Sequence, residues 1–150
     1  MKVLLITGGT SSERKISLMS AKQVKLALKE IGYFVAVFDL KKGYDQLKIL
    51  AKSFDVIFPV IHGEEGEGGD LQKFLSTLKK PFVGGDPEGF KKGWYKIPFK
   101  KFCEENKIPT APWRKVQTKK DILQFGLPCV LKSSSGGSSR EVAILKSAKD

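Results

Sequence analysis

The sequence predicts an α/β protein, with a doubly wound parallel sheet over residues 1–85 and a small α+β lobe over residues 96–150. Two observations support this fold class. Short apolar runs alternate with amphipathic segments through the first region, as in parallel sheets covered by helices. In the second region two apolar runs flank a loop of glycines and serines, as in a hairpin. Residues 86–95 contain a proline and two glycines and are predicted as a linker or weak helix.

The first strand is predicted over residues 2–7, because Val3 to Ile6 are continuously apolar and two glycines end the run. A helix should follow and stop at Gly32, with apolar residues three or four positions apart on one face: Leu18, Ala21, Val24, Leu28 and Ile31. Further strands are predicted over residues 33–38, 56–61 and 81–83, and further helices over residues 44–51 and 70–78. The four strands should form one parallel sheet.

The second region should begin with a helix over residues 97–106, in which Pro98 is tolerated in the first turn. A strand is predicted over residues 114–117. Thr118 and Asp121 have the spacing of a capping box for a helix that ends at Phe125. The apolar segments 129–133 and 141–145 are expected to pair antiparallel.

The chain has 27 basic and 16 acidic residues and a net charge of +11, but the basic residues are spread along its whole length. This distribution favours a solvated lysine surface over a nucleic-acid interface. The two cysteines lack the spacing of a zinc site or a disulfide framework. No targeting segment and no apolar run of membrane-spanning length is present, so the sequence predicts a cytoplasmic protein with no membrane partner.

Residues 132–140 combine a lysine at the end of an apolar run with Gly136, Gly137 and several serines. The glycines lack Cβ atoms and let a backbone approach phosphates, while Lys132 can supply a positive charge. This pattern is typical of a nucleotide-phosphate loop between two strands. A mobile hairpin tip with a solvated lysine is the alternative.

Two polar loops follow the first and third predicted strands. Loop one is residues 8–17, Gly-Gly-Thr-Ser-Ser-Glu-Arg-Lys-Ile-Ser, and loop two is residues 62–72, His-Gly-Glu-Glu-Gly-Glu-Gly-Gly-Asp-Leu-Gln. Because the carboxyl ends of parallel strands meet at one edge of the sheet, both loops should line the ligand crevice. Neither contains G-x-G-x-x-G, so no dinucleotide site is predicted.

Together with residues 81–84 (PFVG), 108–112 (IPTAP) and 132–139, these loops resemble the D-alanine–D-alanine ligases of the ATP-grasp superfamily. The motifs occur in the family's order over nearly the whole chain. The resemblance implies a Rossmann-like pre-ATP-grasp domain followed by the small ATP-grasp lobe. It also implies ATP-dependent ligation of two D-alanines through an acyl phosphate, for peptidoglycan and the cell wall.

For the amino-acid site, the resemblance implies that Glu13 binds the first D-alanine and takes part in catalysis, and that His62 lies beside the same subsite. A carboxylate suits an ammonium group. The alternative for Glu13 is an acid favoured by the helix dipole. The alternative for His62 is a structural role.

For the nucleotide, the resemblance implies that Lys96 and Lys132 bind phosphates. It implies that Ser138 reaches toward the loop-one glutamate when the site closes, with Ser139 beside it. Solvated lysines and surface serines are the alternatives. Glu141 stands where the family has a glycine, and it would repel phosphates if it pointed into the loop.

The resemblance implies ATP and Mg²⁺ as cofactors, with the metal ligands expected in a further C-terminal part. We therefore expect residues 1–150 alone to be inactive. The implied partners are D-alanine, ATP and a separate C-terminal ligase half, with a homodimer for the complete enzyme. A non-catalytic binding or regulatory module derived from a ligase half is the alternative function.

Overall fold

The computed structural model describes residues 1–137 and 141–149 and divides the chain into two compact units, residues 1–91 and 92–150. The first unit contains, in order, β1 (Lys2–Thr7), α1 (Arg14–Glu30), β2 (Phe34–Asp39), a 3-10 turn (Leu40–Lys42), α2 (Tyr44–Ala51), β3 (Val56–Pro59), α3 (Glu64–Glu67) and α4 (Asp70–Thr77). Helix α5 (Pro87–Trp94) follows and crosses the boundary between the units. A helix therefore occupies most of the segment 86–95, which was predicted as a linker or weak helix. The division into domains over residues 1–85 and 96–150 stays a prediction.

The sheet of the first unit is parallel with strand order β2-β1-β3. The prediction of a fourth strand over residues 81–83 is wrong in extent, because this segment contributes a single parallel bridge between Ile57 and Phe82. The Ile57 N–H donates to the Pro81 carbonyl at 3.0 Å, and the Val83 N–H donates to the Ile57 carbonyl at 2.9 Å. Proline at residue 81 has no N–H to extend the pairing.

The core lies on both faces of the sheet, because β1 is central and its side chains alternate between the faces. On one face Leu4 and Ile6 pack against α2 and α4, in a cluster that includes Leu47, Leu71 and Leu75. On the other face Val3 and Leu5 pack with Val35 and with Ala21 of α1. The fully apolar run of β1 thus follows from burial on both sides, as the sequence predicted.

Helix α1 buries the middle of the predicted stripe but not its two ends. Ser17 and Ala21 are buried, Val24 and Leu28 are partly buried, and Leu18 is exposed. The predicted stripe began one residue late, because Ser17 is polar and was not counted as a core position. Ile31 follows the last helical residue and is also exposed.

The second unit contains α6 (Lys96–Glu105), α7 (Lys119–Phe125), β4 (Cys129–Lys132) and β5 (Val142–Leu145). Strands β4 and β5 pair antiparallel, from Cys129 opposite Leu145 to Lys132 opposite Val142, which confirms the hairpin. The capping box at the start of α7 is also confirmed. The predicted strand over residues 114–117 is wrong, because this segment belongs to no helix or strand and pairs with no other described strand.

The described part of the chain holds no helix with the length and apolar character that crossing a lipid bilayer requires.

Candidate functional site

Loop one leaves β1 through two consecutive glycines with left-handed backbone conformations. Gly8 and Gly9 both have φ near +79°, which other residues rarely adopt. A Cβ atom would lie 2.2 Å from Asp39 Oδ1 if placed on Gly8, and 2.1 Å from Glu65 Oε2 if placed on Gly9. The glycines therefore provide both the turn and the space in which two carboxylates approach the loop.

An ion pair joins the start of α1 to the end of β2. Arg14 Nη1 donates to Asp39 Oδ1 and to the Gly9 carbonyl, each at 2.8 Å, and Arg14 Nη2 donates to the second Asp39 oxygen. The hydrogen bonds from Arg14 hold the pKa of Asp39 well below its usual range. Sequence reasoning missed this pair, although the position of Asp39 at the carboxyl end of a predicted strand was a usable signal.

Glu13 and His62, which are distant in the sequence, belong to one hydrogen-bond network. The His62 N–H donates to Ser17 Oγ at 2.9 Å, and Ser17 Oγ also lies 3.3 Å from the Glu13 carbonyl, to which it can donate. Ser11 Oγ donates to the His62 carbonyl at 3.1 Å and accepts from the Glu13 N–H at 3.2 Å. Two serines thus connect the backbones of the predicted substrate-binding residues.

Burial of Glu13 and one contact of the His62 ring restrict these two residues further. Glu13 is the N-cap of α1 and is only 8% exposed. His62 is half-buried, and its Nε2 atom lies 3.1 Å from the Ser20 hydroxyl on α1. The network therefore brings the backbones of Glu13 and His62 together in the loops that follow β1 and β3.

Loop two also sends a carboxylate back to loop one. Glu65 accepts three hydrogen bonds, from the Thr10 N–H at 2.6 Å, the Thr10 hydroxyl at 2.7 Å and the Ser11 N–H at 3.2 Å. Sequence reasoning did not single out Glu65, because it lies among several acidic residues in a short segment. Its partners are more than 50 positions away and become apparent only in the fold.

The rest of loop two is closed by its own side chains. Glu67 accepts from the Gly63 N–H at 2.8 Å, where Gly63 has φ +88°. The buried Gln72 side chain donates to the Gly66 carbonyl at 2.7 Å. Loop two is therefore a compact turn with a short helix, and it holds His62 at a fixed position.

In the second unit, the structure brings Lys96 to the Gly/Ser-rich loop. The Lys96 ammonium donates to the Gly136 carbonyl at 2.7 Å, and the Lys96 N–H donates to the Ser134 carbonyl at 2.9 Å. Lys132 is exposed at the end of β4, where that loop begins. Both predicted lysines therefore adjoin the predicted phosphate loop.

Glu141 also lies against this loop. Its carbonyl accepts from the Ser133 N–H at 3.1 Å, and a Cβ atom on Gly136 would lie 3.6 Å from Glu141 Oε2. The negatively charged carboxylate repels phosphate and so reduces the attraction that the lysines provide. Ser138 and Ser139, the two predicted loop serines, lie outside the described residues.

The two implied cofactors fit the chain differently. Lysine ammonium groups beside a glycine-rich turn are a donor set that suits the phosphates of ATP. Within residues 1–137 and 141–149, no three His, Cys, Asp or Glu side chains are gathered where they could hold a metal ion. The implied Mg²⁺ thus has no fitting donor set among those residues.

The known proteins to which this chain is similar are D-alanine–D-alanine ligases. A family model described as the D-ala D-ala ligase N-terminus matches residues 43–85. A D-alanine–D-alanine ligase of Thermotoga petrophila is 35% identical over 150 residues, covering 100% of this chain and 49% of the relative. One from Maridesulfovibrio salexigens is 33% identical, covering 100% of this chain and 51% of the relative. The chain matches the N-terminal half of the D-alanine–D-alanine ligases.

Solved ligase structures share the fold. The crystal structure of the D-alanine–D-alanine ligase from Bacillus anthracis has a TM-score of 0.81 and 27% identity, covering 98% of this chain and 49% of that chain. A structure of the ligase from the same organism complexed with ATP has a TM-score of 0.78 and 25% identity, covering 96% of this chain and 50% of that chain. The present chain spans about half the length of the ligases that it matches.

Proposed function

We propose that this chain is the part of a cytoplasmic D-alanine–D-alanine ligase that binds the first D-alanine and the phosphates of ATP. The observation that carries the proposal is the serine network between Glu13 and His62, because it joins the backbones of these two residues in the loops that follow two parallel strands. Ligands of doubly wound sheets bind at this edge. The similarity to ligases of known name supplies the reaction class.

In the proposed amino-acid subsite, the Glu13 carboxylate binds the ammonium group of the first D-alanine. Glu13 is 8% exposed, so water screens this ion pair less than it would at an open surface. His62 lies beside the amino acid and is oriented by Ser17 and Ser20. Because the backbones of both residues are hydrogen-bonded before the substrate arrives, little backbone conformational entropy is lost on binding.

In the proposed nucleotide subsite, Lys132 and Lys96 attract the phosphates of ATP. The bond from the Lys96 ammonium to the Gly136 carbonyl also restrains the glycine-rich turn on which the phosphates would lie. An ammonium group acts as a point charge, so its attraction to phosphate does not depend on a single geometry. Glu141 reduces this attraction and should make the affinity for ATP modest.

The proposed reaction transfers the γ-phosphoryl group of ATP to a carboxylate oxygen of the first D-alanine, releasing ADP. The amine of the second D-alanine then attacks the acyl carbon, phosphate leaves, and the amide bond of the dipeptide forms. The contribution of Glu13 and His62 is to hold the first carboxylate in position for the transfer.

The test is a titration of the ¹⁵N-labelled chain with D-alanine, followed by NMR. We expect shifts at loop-one and loop-two amides, and no comparable shifts with L-alanine. Glu13→Gln should weaken binding by about tenfold or more, because a charged hydrogen-bonding partner is lost. Glu30→Gln removes an exposed carboxylate from the last turn of the same helix and should leave the affinity unchanged. Equal affinity of the Glu13→Gln and unmodified chains would refute the proposal.

A further inference from the structure

One carboxylate in loop two, that of Glu65, holds the backbone of loop one. One of its oxygens accepts from the Thr10 and Ser11 N–H groups, and the other accepts from the Thr10 hydroxyl. These are charge-assisted hydrogen bonds, which are stronger than bonds between neutral groups. Without them, two exposed or half-exposed N–H groups of a glycine-rich turn would be solvated, and the turn would be less ordered.

The restraint continues from Ser11 to the proposed substrate site. Glu65 fixes the Ser11 N–H, while the Ser11 hydroxyl bonds both the His62 carbonyl and the Glu13 N–H. A change in the position of Ser11 would therefore displace the start of α1, where Glu13 is the N-cap. Gly9 is part of the same arrangement, because a Cβ atom there would occupy the place of a Glu65 oxygen.

We propose that Glu65 is a positioning residue for the amino-acid subsite, setting the conformation of loop one and thereby the position of Glu13. The inference rests on the proposed D-alanine site for its ligand. Both Glu65 oxygens already accept hydrogen bonds from protein donors. Glu65 therefore acts through Ser11 and Glu13, whereas Glu13 contacts the ammonium group itself.

Three variants separate positioning from direct contact. Glu65→Ala removes all three hydrogen bonds. Glu65→Gln can keep them, since its carbonyl oxygen accepts from both N–H groups and its amide can donate to the Thr10 hydroxyl. Thr10→Val removes one bond and leaves the two backbone bonds. Glu30→Ala, in the last turn of α1, is the control for loss of an exposed negative charge.

The first measurement needs no ligand. Amide hydrogen exchange of Thr10 and Ser11, followed by NMR on the whole chain, should be about tenfold faster or more in Glu65→Ala. Glu30→Ala should exchange as the unmodified chain does. Glu65→Gln, whose bonds are neutral and weaker, and Thr10→Val should both exchange at rates between the unmodified chain and Glu65→Ala. Unchanged exchange in a folded Glu65→Ala variant would overturn the positioning role.

The second measurement is the dissociation constant for D-alanine. We expect Glu65→Ala to weaken binding by about tenfold and Glu65→Gln to restore most of it, because a positioning role needs the hydrogen bonds and the charge only strengthens them. Binding lost equally in Glu65→Ala and Glu65→Gln would show that the carboxylate charge itself binds the ammonium, and the inference would be wrong. If the unmodified chain binds no D-alanine, the proposed function and the ligand part of the inference fail, while the exchange rates still decide the role of Glu65 in loop one.

Discussion

The Asp39 carboxylate forms hydrogen bonds with three segments of the first unit. It bonds the guanidinium of Arg14 at the start of α1, the Gly9 N–H of loop one at 3.3 Å, and the Lys41 N–H of the following turn at 3.0 Å. The pair is partly exposed, so its attraction is reduced by solvent. The Asp39 carboxylate therefore helps to orient loop one from β2, whereas Glu65 bonds the same loop from the segment after β3.

The low pKa of Asp39 predicts a defined dependence of stability on pH. The folded pKa lies below the unfolded pKa of about 3.9, so the folded state binds fewer protons in acid. The stabilisation is therefore complete above about pH 4 and decreases as the pH falls through the folded pKa. In Asp39→Asn the free energy of unfolding should be lower at neutral pH and should fall less steeply below about pH 4. Urea denaturation at a series of pH values tests this, and identical acid slopes for both chains would contradict it.

At the residue scale, the family resemblance implies Glu13 and His62 as site residues, and each lies in a loop that follows a predicted strand of the sheet. The sequence analysis did not select Glu65 or Asp39, although Asp39 also follows a predicted strand. Both carboxylates form hydrogen bonds with residues of loop one, and these bonds need the close approach that Gly8 and Gly9 allow. The bonded residues are far apart in the sequence, so the sequence does not reveal the contacts. Lys132 is indicated by the glycine-rich loop that it begins, whereas Lys96 is implied only by the family resemblance, since the chain is rich in lysine.

Loop two is built around the close packing of its four-residue helix α3 on the segment that precedes it. A Cβ atom on Gly66 would lie only 2.1 Å from the Ile61 carbonyl oxygen, which is a backbone atom with little freedom to move. Gln72 adds a bond from α4 to the Gly66 carbonyl. Residue 66 must therefore be glycine because a side chain would collide with the Ile61 carbonyl, not because the backbone adopts a left-handed conformation.

Gly66→Ala should therefore destabilise the chain by about 1–3 kcal/mol, the range for overpacked sites. Gly93→Ala is the matched control, because Gly93 lies in α5 and a Cβ atom there meets nothing within 4 Å. That substitution should stabilise by about 0.5–1 kcal/mol, since alanine is the better helix former. Urea unfolding of both variants measures the two effects, and a stabilising Gly66→Ala would show that the described contact is wrong.

At the element scale, the predictions succeeded where a pattern was local. Strand β1, the capping box of α7 and the β4–β5 hairpin are each determined by neighbouring residues. The fourth strand and the strand over residues 114–117 were wrong in extent or existence, because strand pairing depends on a partner elsewhere in the chain. Helix α5 formed despite its glycines, with Pro87 at its first position.

For the molecule as a whole, the sheet of the first unit is the rigid support of loops one and two. Its two apolar clusters lie on opposite faces of β1, and both loops leave from the carboxyl ends of buried strands. Loss of packing on one face should therefore lower the stability of the entire unit. The second unit carries its own loop on the β4–β5 hairpin.

Helix α2 provides a direct test of this packing. Leu47 is fully buried against the sheet, whereas Ile49 on the same helix is 69% exposed. Leu47→Ala should lower the free energy of unfolding by about 2–5 kcal/mol through lost burial and a cavity. Ile49→Ala should change it by about 0.5 kcal/mol or less. Equal losses in the two variants, measured by urea denaturation, would contradict the described core.

The central claim is that the first unit binds D-alanine through Glu13 and the second binds ATP phosphates through Lys132. The most direct test is calorimetric titration of the unmodified chain, Glu13→Ala and Lys132→Ala with each ligand separately. Glu13→Ala should weaken binding of D-alanine alone, and Lys132→Ala should weaken binding of ATP alone, with the ATP affinity decreasing as salt is raised. If ATP bound as tightly to Lys132→Ala as to the unmodified chain, or D-alanine as tightly to Glu13→Ala, the assignment of the corresponding site would be wrong.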